Sequence, residues 1–405
     1  MTAGVPTTPV AGVVTCVDFG STFTKASLVD LAEGRIVAAA DHPTTLPASG
    51  SDADVLDGYD ACRAALVAAD PRAADAPALA CSSAGGGLRI AVVGNEELVT
   101  AEAGRRVALS SGGRVVHVGH GGLGGPAGPD GPEGTSYDAL VSAAPDVVLL
   151  VGGTDGGNSA QLVADAEHLG RAGWHLPVVV AGDVEAQDRV AAALAAGGTP
   201  YVLADNVVPR IGVLAPGSAR AAIREVFLSH VIGGKHLSHR ADFTAMVRGA
   251  TPDVVLRGVE LLANGLDADR PGAGDVVVVD VGGATTDVHS VVELDPEDSG
   301  LSREVVATTP VTRTVEGDLG MRWSAVPTVE EAGLDLAEEA GRRRDDPGFV
   351  PDTEDELDAD EAIARAAVEL ALRRHAGRSK VVVSPEGRVV ERSGKDLREV
   401  DLLVG

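Results

Sequence analysis

Two short segments of the sequence share a pattern suited to phosphate chemistry. One reads DFGSTFTK, from Asp18 to Lys25, and the other reads DVGGATTD, from Asp280 to Asp287. In each, an acid ends an apolar strand, glycine lets the backbone approach a ligand and hydroxyl residues follow. Successive backbone N–H groups in such a turn bind anions, and the carboxylate can hold a metal ion with its waters. One copy alone is usually an ordinary turn, but two copies predict two halves that bind one ligand.

The composition limits the classes of partner. The sequence has 33 Lys and Arg against 60 Asp and Glu, and the resulting net charge of −27 repels a phosphate backbone. Aromatic residues make up 2% of the chain, so platforms for base stacking are scarce. We therefore expect no nucleic-acid partner.

The cysteines and the apolar runs indicate the compartment. Cys16, Cys62 and Cys81 have neither CxxC spacing nor a pattern of histidine partners, so neither a disulfide framework nor a structural zinc site is predicted. The N-terminal residues lack a basic segment followed by an apolar stretch and a cleavage site, and no run of about 18 apolar residues occurs. These features predict a cytoplasmic protein that makes no contact with a membrane.

Hydrophobic periodicity predicts the elements that position the two segments. Residues 11–17, 25–29 and 35–40 predict a β-meander, and a polar, Ala- and Asp-rich stretch follows at 41–77. Strands and helices then alternate strictly, which favours a parallel sheet because parallel strands need crossover connections of this length. The predicted strands are 88–93, 114–118, 146–151, 177–180 and 200–203, and the predicted helices between them are 96–109, 137–144, 159–172 and 184–195.

The remaining segments predict helices, loops and one more strand. Helices at 218–232 and 252–263 lead to a second apolar strand at 275–281. The Gly- and Pro-rich tract 119–134 predicts a mobile loop. The acidic run 345–361 predicts either a solvated linker or the cap of a helix N-terminus, and residues 362–374 predict a helix.

At these motifs the sequence resembles a known group of ATPases. The segments 18–25 and 280–287 resemble the phosphate hairpins of the actin, Hsp70 and sugar kinase superfamily. The resemblance is closer to the MutL or GlmL family, the accessory proteins of adenosylcobalamin-dependent glutamate mutase and related mutases, and it extends nearly from end to end. It rests on four segments in order: DFGSTFTKASLVD at 18–30, VVLLVGGTDGGN at 147–158, VVVVDVGGATTDVHSV at 276–291 and TVEGDLGMRWS at 314–324.

The resemblance implies an α/β fold with duplicated actin-like, ribonuclease H-like ATPase domains. Residues 1–87 would form the first actin-like subdomain, and residues 216–274 a helical connection that completes the first half. Residues 275–405 would form the second half. Residues 88–215 predict an inserted doubly wound, flavodoxin-like α/β domain, because this segment is larger than the insertion that actin-like folds need here.

The family implies an ATP-dependent reactivating chaperone. Such a protein exchanges damaged cobalamin out of an inactivated mutase of the glutamate mutase type. The expected cofactors are ATP and Mg²⁺, and the expected partner is an adenosylcobalamin-dependent mutase, through which alone cobalamin would be contacted.

Two alternative functions stay open. One is an ATP-dependent small-molecule enzyme of the hydantoinase and oxoprolinase kind, whose second turn is also similar to DVGGATTDV; the segments at 147–158 and 314–324 argue against it. The other is an actin-like structural ATPase, which the net charge of −27 and the large insertion disfavour.

The resemblance also implies roles for individual residues. Asp18 would orient metal-bound water, and the catalytic residues would be Lys25, on phosphate, and Asp280, on the attacking water or its metal. Asp287 would be an outer metal ligand, so the predicted metal ligands are Asp18, Asp280 and Asp287. A solvated strand lysine is the alternative for Lys25, and a plain helix N-cap for Asp318. The residues expected to bind the nucleotide are Gly20, Ser21, Thr22, Gly282, Gly283, Ala284, Thr285, Gly317 and Asp318.

The sequence departs from the family at its C-terminus. In the superfamily a third, glycine-rich motif binds the adenosine, and in the MutL family it follows a stretch like GKDLREV at 394–400. Here the sequence stops at 402–405. An incomplete, C-terminally truncated second half without the adenosine motif is therefore predicted, and ATPase activity of this chain is left open.

The inserted segment suggests a separate hypothesis. Residues 146–183 follow the order of the cobalamin-binding domains of the mutases, with an apolar strand, a Gly-rich loop, a helix and then PVVV. The DxHxxG segment that supplies the cobalt-ligating histidine is absent, and His120 lies in the Gly-rich tract. We hypothesise that this domain mimics the mutase domain and competes for its partner surface, or holds the loop 152–158 against the corrinoid. An ordinary α/β insertion is the alternative.

Overall fold

A computed structural model describes residues 12–46, 53–124, 136–234, 236–293, 309–384, 387–393 and 395–405. Residues 125–134 of the predicted Gly- and Pro-rich loop lie outside these ranges. The chain divides into two units, one formed by Met1–Leu88 with Arg224–Val254 and the other by Arg89–Ile223 with Val255–Gly405. None of the helices in the described ranges combines the length and the apolar composition needed to cross a bilayer. The four-segment domain division assigned from the sequence stays a prediction.

Strands and helices run through both units. In chain order, the strands are β1 Val13–Phe19, β2 Phe23–Asp30, β3 Arg35–Pro43, β4 Ala78–Ser82, β5 Leu88–Gly94, β6 Gly113–His120, β7 Val147–Leu150, β8 Val178–Val180, β9 Tyr201–Leu203, β10 Val247–Ala250, β11 Gly265–Asp267, β12 Arg270–Pro271, β13 Val276–Val281, β14 Thr286–Val291, β15 Val311–Glu316, β16 Arg378–Ser384, β17 Gly387–Ser393 and β18 Leu402–Val404. The α-helices are α1 Val55–Ala69, α2 Glu102–Ser110, α3 Tyr137–Ser142, α4 Ala160–Arg171, α5 Gln187–Ala196, α6 Gly217–Val226, α7 Ile232–Gly234, α8 Ala241–Met246, α9 Thr251–Asn264, α10 Ala325–Ala332, α11 Ala337–Asp345 and α12 Glu354–His375.

The first unit contains a five-stranded sheet in the order β10-β4-β1-β2-β3. The predicted meander is confirmed, since β1, β2 and β3 pair antiparallel, while β4 and β10 join parallel to β1. Helix α1 packs against β2 and β3. It starts at a capping box, in which Asp54 accepts from the Leu56 amide and the Asp57 side chain accepts from the Asp54 amide.

The second unit contains a sheet of the same plan, in the order β15-β14-β13-β18. Strands β13, β14 and β15 form an antiparallel meander, and β18 pairs parallel to β13. Valines of β13 pack against α12 on one face and against α9 on the other, which explains their uninterrupted apolar run. Because the two sheets repeat one topology, the predicted duplicated, actin-like α/β fold class is confirmed.

A third sheet, also in the second unit, lies in the chain between the two meanders. Its order is β6-β5-β7-β8-β9, and β5, β7, β8 and β9 pair parallel. This is the strand order of flavodoxin-like doubly wound sheets. Its core is formed by apolar residues of the strands and of α3, α4 and α5, including Leu150, Leu162 and Leu194, none of which is exposed. The predicted inserted α/β fold is confirmed, with strand ends within about two residues of those expected.

Helix α12 begins earlier than the sequence pattern predicted. It starts at Glu354 rather than at residue 362, so the second half of the acidic run lies in its first turns. Thr353 caps the helix by accepting from the Glu356 amide, and the Glu356 side chain accepts from the Thr353 amide. Three acids in the first turn also favour the positive end of the helix dipole. The helix-cap interpretation therefore applies to residues 354–361.

Candidate phosphate-binding site

Each predicted phosphate segment is a β-hairpin with an acid near the end of its first strand. In the first unit Asp18 lies opposite Lys25 in the register of β1 and β2. In the second unit Asp280 lies opposite Asp287 in the register of β13 and β14. The two hairpins therefore have the same register, with a cation in one at the position that a carboxylate occupies in the other.

The turns of the two hairpins close in the same way. The Gly20 amide donates to the carbonyl oxygen of Phe23 at 3.1 Å, and the Gly282 amide donates to that of Thr285 at 2.8 Å. A Cβ on Gly20 would lie 2.6 Å from the Phe23 carbonyl oxygen, and one on Gly282 would lie 3.0 Å from that of Thr285. Glycine is therefore required at Gly20 by the close approach of the Phe23 carbonyl oxygen.

We expect Gly20→Ala to lower the free energy of unfolding by about 1–3 kcal/mol, because the added methyl group must displace a backbone oxygen. The change at Gly282 should cost less, since the approach there is looser. Urea denaturation without nucleotide measures both. Gly233→Ala is the matched control in the first unit, because no atom lies within 4 Å of its added Cβ. A loss at Gly20 no greater than at Gly233 would show that the turn accommodates a side chain.

Thr44, just after β3, forms hydrogen bonds with two carbonyl groups of the first turn. The Thr44 hydroxyl donates to the carbonyl oxygen of Gly20 at 2.9 Å, and the Thr44 amide donates to that of Thr22 at 2.8 Å. In the part of the chain that the structure describes, the amides of Ser21 and Thr22 have no acceptor. These two amides are therefore donors that a ligand at this turn can use.

The segment 321–324 holds the second turn in the same manner. Its amide and hydroxyl groups donate to the carbonyl oxygens of Gly282, Gly283 and Ala284 at 2.9, 2.8 and 2.6 Å respectively. Among the described residues no acceptor faces the amides of Gly283 and Ala284. Unpaired amides in a tight turn are the usual means of binding an anion. Both turns therefore offer the donors that a phosphate needs.

Two neighbours orient the Asp18 carboxylate. The Thr251 hydroxyl donates to Asp18 Oδ1 at 2.8 Å, and the Cys81 thiol donates to the same oxygen at 3.5 Å. Burial, reinforced by the Asp18 charge, raises the pKa of the Cys81 thiol to about 12, so it stays protonated as a donor. Lys25 opposite is exposed and also lies in register with Asp41 of β3. Its phosphate role stays a prediction.

The acids of the second hairpin differ in their surroundings. Asp280 is exposed, whereas Asp287 accepts from Arg313 Nη2 at 2.7 Å and from Arg313 Nε at 3.0 Å. Burial raises the pKa of Asp287, and the nearby Asp280 charge adds to this, while the Arg313 guanidinium opposes it. The metal role of Asp287 stays a prediction, and the structure gives this carboxylate a buried cation as its partner.

Gly317 and Asp318 lie at the end of β15 and are exposed. Asp318 accepts from Arg374 at 2.7 and 2.8 Å, and this hydrogen bonding lowers the pKa of Asp318. The helix N-cap interpretation of Asp318 is wrong, because α10 begins at Ala325 with Ser324 as its cap. Nucleotide contact by Gly317 and Asp318 stays a prediction.

Comparisons with known proteins agree with the sequence motifs. A family model described as "MutL protein" matches residues 14–405. The chain is also 34% identical over 402 residues to "Protein MutL" of Clostridium tetanomorphum, and this alignment covers 96% of this chain and 84% of that protein.

Two solved structures are similar at a low level. One is the ethanolamine utilization protein EutJ from Carboxydothermus hydrogenoformans, with 12% identity, a TM-score of 0.24 and coverage of 91% of this chain and 71% of that one. The other is a carbohydrate kinase from Novosphingobium aromaticivorans, with 17% identity, a TM-score of 0.23 and coverage of 96% and 76% respectively. The fold assignment therefore rests on the strand order of the sheets themselves.

Proposed function

Because the chain belongs to the MutL protein family, we propose that it is a cytoplasmic, ATP-dependent reactivating protein for an adenosylcobalamin-dependent mutase. The observation that carries the proposal is the repeated hairpin. In each copy neighbouring residues donate hydrogen bonds to carbonyls of the turn, while two turn amides have no acceptor among the described residues. An acid lies one residue before the end of each first strand, at the same register position. A pair of such sites suits the phosphates of a nucleotide better than it suits a purely structural role.

The donors present fit ATP with Mg²⁺. Magnesium keeps several waters in proteins and is bound through one or two carboxylates together with substrate phosphates. Asp18 and Asp280 supply such carboxylates, and the turn amides supply donors for the phosphate oxygens. No group of three His, Cys, Asp or Glu side chains arranged for a metal occurs among the described residues.

The chain's own residues have separate tasks in this proposal. In the first unit the amides of Ser21 and Thr22 bind phosphate oxygens, and Lys25 adds a compact positive charge. In the second unit the amides of Gly283 and Ala284 bind phosphate oxygens. Bound Mg·ATP supplies the phosphoanhydride whose hydrolysis drives cofactor exchange. The exposed Asp280 carboxylate accepts a hydrogen bond from the attacking water and orients it.

The inserted domain is the proposed contact with the mutase. Its loop 152–158 follows β7, and Asn206 braces the loop by donating to the Gly153 carbonyl at 3.0 Å and to Asp155 at 2.8 Å. The Gly156 amide donates to Asp183 at 3.1 Å. A loop held in place in this way is preorganised for docking, which lowers the entropic cost of binding. It contains no histidine for cobalt, so cobalamin would be reached only through the partner mutase.

The test is ATP hydrolysis by the purified chain in three mixtures: alone, with a mutase that carries damaged cobalamin, and with a cyclic amide such as a hydantoin or an oxoproline. We expect the inactivated mutase to stimulate hydrolysis, and the cyclic amides to have no effect. Stimulation by a cyclic amide, together with its consumption, would instead favour the hydantoinase and oxoprolinase kind of enzyme. A chain that hydrolyses no ATP in any mixture would contradict the proposal.

A further inference from the structure

Arg313 connects the second hairpin to the inserted domain. Only 4% of its side chain is exposed. Its Nε and Nη2 donate to Asp287 on β14, while its Nη1 donates to the carbonyl oxygens of Leu109 at 3.1 Å and Gly113 at 3.4 Å. Leu109 lies in the last turn of α2 and Gly113 begins β6, so one guanidinium contacts both the hairpin and the inserted sheet.

The Arg313–Asp287 pair is an inefficient way to stabilise a fold. Burial lowers the pKa of Arg313 and raises that of Asp287, which means that both charges lose solvation here. Buried ion pairs can often be replaced by apolar residues without loss of stability. The carbonyls at the C-terminal end of α2 favour a cation, but an apolar contact between α2 and β15 would join these elements as well. The pair therefore calls for a reason other than stability.

The position of Asp287 suggests that reason. Asp287 lies directly opposite the exposed Asp280, beside the turn whose amides are unpaired. A cation bound between phosphate and these two acids would compete with Arg313 for the Asp287 carboxylate. Ions that approach this turn therefore act on the same carboxylate that anchors Arg313.

A second acceptor is available to the guanidinium. His289 lies directly opposite Arg313 in the register of β14 and β15, and within the described residues its buried Nδ1 has no hydrogen-bond partner. In its neutral form an imidazole has one acceptor nitrogen, which can accept from Arg313 when Asp287 turns away. The guanidinium then has two alternative arrangements.

We propose that Arg313 is a positioning residue that couples occupancy of the second phosphate turn to the inserted domain. Loading of the turn draws Asp287 toward the bound cation, Arg313 shifts from Asp287 toward His289, and its hydrogen bonds to Leu109 and Gly113 change. The inference rests on nucleotide binding in the proposed function. It adds the route by which nucleotide binding changes the inserted domain, which is the proposed contact with the mutase.

The test is amide hydrogen exchange of the full chain with and without Mg·ATP, read at two places, the turn 282–285 and the segment 109–114. In the wild type we expect exchange to slow in the turn, and exchange at 109–114 to change by at least about fivefold. Arg313→Lys should keep the response of the turn and lose that at 109–114, because the single ammonium nitrogen cannot occupy the separate positions from which Nε, Nη1 and Nη2 donate to Asp287 and to the two carbonyls.

Arg220→Gln is the matched control, since Arg220 pairs with Glu260 at 2.6 Å in the same unit and its side chain is 11% exposed. This variant should keep both responses. If Arg313→Lys does not fold, Asp287→Asn provides the same test, because it removes the charge that anchors Arg313. A response at 109–114 that equals the wild type's in a folded Arg313→Lys or Asp287→Asn variant would overturn the inference.

The wild type separates failure of this inference from failure of the proposed function. Protection of the turn without any change at 109–114 would overturn the coupling and leave nucleotide binding intact. No protection at either place would overturn the proposed function, and the coupling with it.

Discussion

Replacement of Asp280 by asparagine is expected to lower kcat for ATP hydrolysis by about 10²–10⁴-fold, the usual contribution of a positioned acid or base. Asparagine keeps the shape of the side chain but cannot hold a water molecule through a negative charge. Because Asp280 is exposed, the variant should fold as the wild type does. The largest change should appear in kcat rather than in KM, since the turn amides that bind phosphate are unaffected.

Steady-state phosphate release over a range of Mg·ATP concentrations measures this effect. The matched control is Asp188→Asn, an exposed acid near the start of α5, which should leave both constants unchanged. Hydrolysis by Asp280→Asn at a rate within twofold of wild type would show that this carboxylate does not act on the reacting water.

Replacement of Arg343 by alanine is expected to lower the free energy of unfolding by about 3–5 kcal/mol. The side chain is fully buried and donates to Asp360, to Glu339 at 2.7 Å and to the carbonyl oxygen of Glu356 at 2.8 Å. Its removal leaves the partially buried Asp360 carboxylate without this cation and opens a cavity between α11 and α12. Arg322 lies 3.6 Å from Asp360, and its amide donates to Gly283 of the second turn.

Chemical denaturation followed by circular dichroism measures this loss. The neighbouring Arg344→Ala is the control, because Arg344 is half exposed and, among the described residues, it pairs only with the exposed Asp345. It should cost less than about 0.5 kcal/mol. Equal effects at the two arginines would mean that the buried network around Asp360 adds no stability.

Much of the fold could be predicted from the sequence because its signals are local. The strands of the inserted sheet are short apolar runs, and segments with helical periodicity separate them. The runs are apolar throughout because the strands of a parallel sheet are buried on both faces. Both phosphate hairpins could be found from Asp and Gly at fixed spacing. Helix α1 was missed because its stretch, 41–77, is rich in Ala and Asp, and its capping acid, Asp54, resembles the rest of that stretch.

Other elements depend on contacts that the sequence does not encode locally. Strand β10 has only four residues and is defined by its pairing with β4, far away in the chain. The groups that complete the site also depend on contacts between distant parts of the chain. Thr251, at the start of α9, donates to Asp18, and Thr44, just after β3, donates to Gly20. Arg313 lies one residue before the motif segment 314–324. Only the folded chain brings these residues to the two turns.

The most direct test of the central claim is the release of damaged cobalamin from an inactivated adenosylcobalamin-dependent mutase, followed by the absorption spectrum of the free corrinoid after gel filtration. We expect release only when the wild-type chain and Mg·ATP are both present, recovery of mutase activity after fresh adenosylcobalamin is added, and no release with Asp280→Asn. Retention of the damaged cofactor despite ATP hydrolysis, or equal release without ATP, would contradict the proposed reactivating function.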